Sequence, residues 1–129
     1  MTIDVVVEQP IKVFENNAPL LVFQARKLTP AGLYIPYLLD AAHTDDIFFY
    51  AKNSRNDPDG SAAFVYSLGA GAIVITDDGG GVGDLHSEFT VQFTATDIDT
   101  VANYFYHIDN MKSGRADTIR FGYLEVVNT

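Results

Sequence analysis

The segment "SEFTVQFTAT", Ser87–Thr96, decides the fold, because apolar and polar side chains alternate along it. Phe89, Val91, Phe93 and Ala95 point one way, and Thr90, Gln92 and Thr94 the other. A period of two predicts a strand with one face buried. The same grammar extends outward in both directions. In "NYFYHID", Tyr104, Tyr106 and Ile108 alternate with Asn103, Phe105, His107 and Asp109. Near the end, Ile119, Phe121 and Tyr123 share a phase, and "YLEVV" continues in the same style. Upstream, "PLLVFQAR", "DIFFYAK", "AAFVYSL" and "AIVIT" are rich in β-branched and aromatic residues.

Turn-formers separate these runs: "NDPDG" at 56–60, "GAG" at 69–71, "TDDGGGVGD" at 76–84 and "MKSGRAD" at 111–117. "TDIDTVAN", 96–103, offers one short helical turn with Thr96 or Asp97 as its cap. Between Leu28 and Asp46, Pro30 and Pro36 disfavour a central strand, so a long connection with a short edge strand is expected. Short strands at such intervals indicate an all-β sandwich or barrel. The opening "MTIDVVVEQPIKVF" is strand-prone and interrupted by Pro10. Residues 1–18 therefore read as an N-terminal arm or edge strand, and residues 19–129 as one domain.

The chain has 129 residues, no Cys, and a formal net charge of −9. That length supports one real core without staples. Without Cys there are no disulfides, thiolate metal sites or thiol nucleophile. The charge argues against a phosphate-backbone partner, which needs Lys and Arg to displace counterions. The start carries neither a basic n-region nor a long apolar h-region, so no signal peptide is expected. No apolar run reaches the roughly 20 residues of a membrane helix, and no membrane partner is expected.

The Gly/Asp stretch after "AIVI" tests the chemistry. A phosphate loop needs a helix after its glycines, and usually a lysine. Here a strand follows, no lysine is present, and Asp77, Asp78 and Asp84 would repel phosphate. A flexible hairpin connector is the expectation. A loose calcium site on Asp77, Asp78 and Asp84 is the remaining cofactor option. Aligning Gly60 as the glycine of an EF-hand loop puts Arg55 and Tyr66 at end positions that need carboxylates, so that motif fails. His43, His86 and His107 are widely spaced and read as surface or edge residues. No G-x-S-x-G elbow occurs, and no catalytic residue is assigned.

Nine Phe and seven Tyr, with no Trp, carry the last signal. "FFY" (48–50) and "YFY" (104–106) place rings on both faces of their strands. One face fills the core. The other is exposed, or covered by another chain, by the arm or by a loop. Val5, Val7, Val13 and Phe14 on the arm, with Tyr50 and Phe105 on the strands, are the interface candidates.

The order of "DPDG" (57–60), "GAIVITD" (71–77), "TDIDT" (96–100), "YFYHI" (104–108) and "GYLEV" (122–126) resembles the immunoglobulin-like domain of tailed-bacteriophage virion proteins. It is similar to the N-terminal domain of baseplate upper proteins. The likeness runs from about Pro19 to Asn128, and the Gly/Asp connector is longer than in that group. The resemblance implies an immunoglobulin-like antiparallel β-sandwich without catalysis, placed in the virion on the tail, baseplate or capsid. Its partners would be other virion structural proteins and further copies of itself. Since nothing follows Thr129, a small accessory subunit is expected. The alternative is a carbohydrate- or cell-surface-binding sandwich, with Tyr37, Tyr50 or Tyr123 stacking on sugar rings.

Overall fold

In a computed structural model that describes residues 3–4 and 7–128, the chain is all-β, with two sheets closing around one core. Among the described residues eleven strands run in chain order: β1 Ile3–Asp4, β2 Val7–Glu8, β3 Ile11–Phe14, β4 Leu20–Leu28, β5 Tyr34–Pro36 and β6 Asp46–Lys52. They continue with β7 Phe64–Ser67, β8 Ile73–Asp77, β9 Ser87–Gln92, β10 Ala102–Lys112 and β11 Arg115–Val127. One sheet has the order β1-β4-β9-β8, with β5 added along β4. The other has the order β2-β11-β10-β6-β7, with β3 also on β11. Among the described residues every pairing is antiparallel except those of β2 and β3 with β11.

The alternation seen in "SEFTVQFTAT" is the packing rule of β9. Phe89, Val91 and Phe93 are buried against the opposite sheet. The strand ends at Gln92, and a 3₁₀ turn, Ala95–Ile98, carries the chain away, so Ala95 leaves the alternation. Aromatic rings fill the centre. Phe49 stacks on Tyr106 and meets Phe93 edge-on, each pair at 5.2 Å between ring centres. Both geometries suit the ring quadrupole.

The N-terminal segment contributes strands to both sheets. β1 pairs with β4, and β2 and β3 with β11. Ile11 and Val13 face the core, and Val13 is 5% exposed. Val13 therefore packs inside this molecule rather than standing free as an interface residue, while its neighbour Phe14 alternates outward. The arm passes close over β11 at Gly122, where a Cβ would collide with the Gln9 carbonyl. Tyr106 donates its hydroxyl hydrogen to that same carbonyl. Arg120 reaches across from β11 to Gln9 Oε1 at 3.1 Å and to the Gln24 carbonyl on β4, stitching arm and sheets together.

Two local details depart from the expected strands. "MKSGRAD" is not a broad separator. β10 and β11 run through it to a two-residue turn at Ser113 and Gly114, both with positive φ, the turn that suits strand twist. On β11 the register shifts opposite Ile108/Asp109, so that Ile119 is an extra residue. This bulge turns Ile119 into the core, whereas Phe121 and Tyr123 lie on the outer face.

Candidate functional site

The outer face of the six-stranded sheet is built in cross-strand rows. Val65, Tyr50, His107 and Phe121 form one row across β7, β6, β10 and β11. Lys52, Phe105 and Tyr123 form the next. Tyr50 stacks on His107 at 4.9 Å, and Tyr123 meets Phe105 edge-on at 5.7 Å. The 53–61 connection folds back over these rows. Its Arg55 guanidinium lies 5.1 Å from the Phe105 ring centre and 5.7 Å from that of Phe121. Phe105 is consequently 7% exposed, while Tyr123 beside it is 57% exposed. Of the three covers considered for the second aromatic face, the loop is the one observed over Phe105.

A charge cluster ties that loop down. Lys52 donates to Asp59 at 2.6 Å. His107 Nε2 lies 3.3 Å from Asp59 Oδ1, and its Nδ1 lies 2.8 Å from Asp109 Oδ1, which also accepts from the Thr118 hydroxyl. The hydrogen bond from Lys52 leads in holding the Asp59 carboxyl below its ordinary range. Burial, together with the charges of Asp59, Asp109 and Asp46, pushes the Tyr50 hydroxyl up. The phase assigned to His107 holds, since it lies on the outer face. Its expected exposure fails, because its side chain is 12% exposed beneath the loop. The missing signal was Asp59, which reaches it from a different connection.

Asp59, His107 and Asp109 bring ligand atoms within 4.8 Å of one another, a spacing a divalent cation could use. The ammonium of Lys52 already supplies Asp59 with a cation, and each nitrogen of the ring already faces a carboxylate. A metal ion would have to displace Lys52 and loosen the loop, so the cluster acts as a strut. The proposed calcium ligands do not converge in this way. Asp77, Asp78 and Asp84 each accept from an amide of their own loop, on Gly79, Gly80 and Gly81 at 2.9–3.0 Å. They brace the connector as aspartates do in turns.

A concavity of about 460 Å³, the end pocket, opens where β5, the 37–45 connection and the β10–β11 turn meet. Its wall includes Tyr37, whose hydroxyl donates to Asp117 at 3.3 Å and accepts from Asn110 at 3.0 Å. Asp45 anchors the rim by accepting from the Ser113 amide at 2.8 Å and from Lys112 at 3.0 Å. Those bonds, the amide first, lower its carboxyl pKa.

The outer face of the five-stranded sheet is different again. Val22, Thr90 and Val74 face one another across β4, β9 and β8, and Leu20 lies two residues along the same face. Leu20, Val22 and Val74 are all exposed. Of the interface residues expected from sequence, Val5 lies outside the described residues and Val7 pairs through its backbone with Arg120. Phe14 is exposed, Tyr50 is half-buried and Phe105 is covered. The row on β4, β9 and β8 was missed, although "PLLV" and "AIVIT" carried it as apolar residues on both phases. Compared with known proteins, the chain matches no family model and no curated protein.

Proposed function

We propose that the chain is a non-enzymatic structural subunit of a bacteriophage particle, an immunoglobulin-like sandwich that works by docking on other virion proteins or on copies of itself. The order β1-β4-β9-β8 against β11-β10-β6-β7 supports the immunoglobulin-like reading. It corresponds to A-B-E-D facing G-F-C with one added strand. The motif order from Asp57 to Val126 supports the virion. The observation that carries docking is the exposed Leu20, Val22 and Val74 set around Thr90, an apolar patch on a chain of net charge −9. Charge keeps such a chain soluble, and contiguous exposed apolar surface marks an interaction site. Mass spectrometry of purified particles, with electron cryo-microscopy to place the chain, tests the reading. The expected result is a stoichiometric particle component with this face covered. A monomer by light scattering that is missing from particles sinks it.

A carbohydrate-binding module is the second reading. The end pocket favours it, with an apolar wall beside cations and a carboxylate.

A further inference from the structure

We infer that the end pocket binds an acidic sugar, a pyranose carrying a carboxylate. The inference rests on the second reading and gives it a site and a ligand class. Three of the chain's eight Lys and Arg residues, Lys27, Lys112 and Arg115, line this one cavity. Asp45 and Asp117 stand beside two of these cations, so the pocket is near neutral on a chain of net charge −9, and an anion meets less repulsion there than from the chain as a whole. Two of the cations are held by their surroundings. Lys27 Nζ lies 5.3 Å from the Tyr37 ring centre, and Lys112 is tied to Asp45 and to the Ala41 carbonyl at 3.2 Å. The third is loose. Arg115 is 84% exposed and 3.9 Å from Asp117, a surface pair that costs little to re-aim at a ligand.

The rest of the lining narrows the ligand. Asp117 stands among the cations, half-open to solvent, with one oxygen accepting from the Tyr37 hydroxyl. A bare phosphate would meet that carboxylate as a like charge, whereas a sugar hydroxyl can donate to it. Ile35, Pro36, Leu38 and Ala42 give an apolar wall, which a fully polar anion would not use. A pyranose has an apolar C–H face for that wall. Its ring hydroxyls suit Asp117 and Ser113, and a carboxylate at its edge suits Arg115 and Lys27. The volume, about 460 Å³, lies in the ordinary range for small-ligand sites. A neutral hexose would offer no charge to Arg115.

The test is a ¹H–¹⁵N titration of the full chain with D-glucuronate and with N-acetylneuraminate, using D-glucose and inorganic phosphate as controls. One or both acids should shift the amides of Lys27, Tyr37, His43 and Lys112–Asp117, binding about tenfold or more tightly than glucose or phosphate. A charge-assisted hydrogen bond is worth that factor or more. Added salt should weaken the binding. Arg115→Gln, at an exposed position, should keep the spectrum of a folded protein and lose about tenfold in affinity. Equal binding of glucose, equal binding of phosphate, shifts centred elsewhere, or no shifts at about 10 mM of either acid would each overturn the inference. None of these results bears on whether the chain is found in virions, so the two readings fail separately.

Discussion

Tyr66 shows what one buried hydroxyl does for this core. It donates to Asp97 at 2.8 Å and accepts from the Thr94 amide at 3.1 Å, holding the 3₁₀ turn after β9 against β7. Burial is the main cause that pushes its pKa to about 12, against an ordinary value of 10, with Asp97 adding to the rise and the Thr94 amide opposing it. The folded value lies above the unfolded one. The stabilisation is therefore complete below pH 10 and is lost as pH rises from there towards 12. Tyr66→Phe should cost about 1 kcal/mol at neutral pH, the net worth of a hydrogen bond. Its stability should then fall less steeply than that of the parent above pH 10, with Tyr106 and Tyr50, whose hydroxyls burial also pushes up, carrying the remaining slope. Urea midpoints across that range check this, and parallel alkaline limbs would contradict it. At this scale the sequence was legible in part. The phase of His107 could be read from alternation. Its burial could not, because Asp59 and Arg55 come from a loop whose path over the sheet is not encoded in periodicity.

Among the elements, the arm and the Gly/Asp connector each rely on a glycine where a Cβ would collide. Gly122 lets the arm lie against β11, since any Cβ there meets the Gln9 carbonyl. Gly122→Ala should cost about 1–3 kcal/mol, as overpacking does. It should also speed amide exchange along β2 and β3, read by mass spectrometry. Gly60→Ala is the control, because a Cβ there meets nothing within 4 Å. In the connector, Gly79 is held at φ +85° with the Pro36 side chain 2.6 Å from where its Cβ would stand, and the Leu39 amide donates to the Asp78 carbonyl. The tip beyond is open, with Val82 fully exposed. Removing residues 80–83 should leave the thermal midpoint within a few degrees, because exposed loop tips tolerate change. Gly79→Ala should lower it more. The dispensable part of the connector is thus its tip, not its base at Gly79. Strands were the legible elements, because a half-buried strand imprints period two on its sequence. The bulge at Ile119 was not, because a one-residue slip leaves each flanking run regular and changes only which face it meets.

At the scale of the molecule, the question is which face another chain would cover. The six-stranded sheet covers part of its own outer face with the 53–61 loop, the Lys52–Asp59–His107–Asp109 cluster and Arg55. The five-stranded sheet leaves Leu20, Val22 and Val74 open. Fold class was readable because it follows from the spacing of alternating runs. The exposed apolar row was not, because it depends on which strands end up side by side, and β4 is distant in sequence from the hairpin of β8 and β9. The double variant Val22→Glu/Val74→Lys keeps the net charge at −9 and puts one charge on either side of Thr90. Both positions are exposed, so stability should stay within about 0.5 kcal/mol of the parent. Docking should not survive, because two charges would have to be desolvated at the centre of the patch without partners arranged for them. On the proposed function, particles grown with this variant should therefore lack the chain or carry much less of it, while the purified protein keeps its melting curve. Full incorporation of a stably folded double variant would move the docking surface to another part of the molecule.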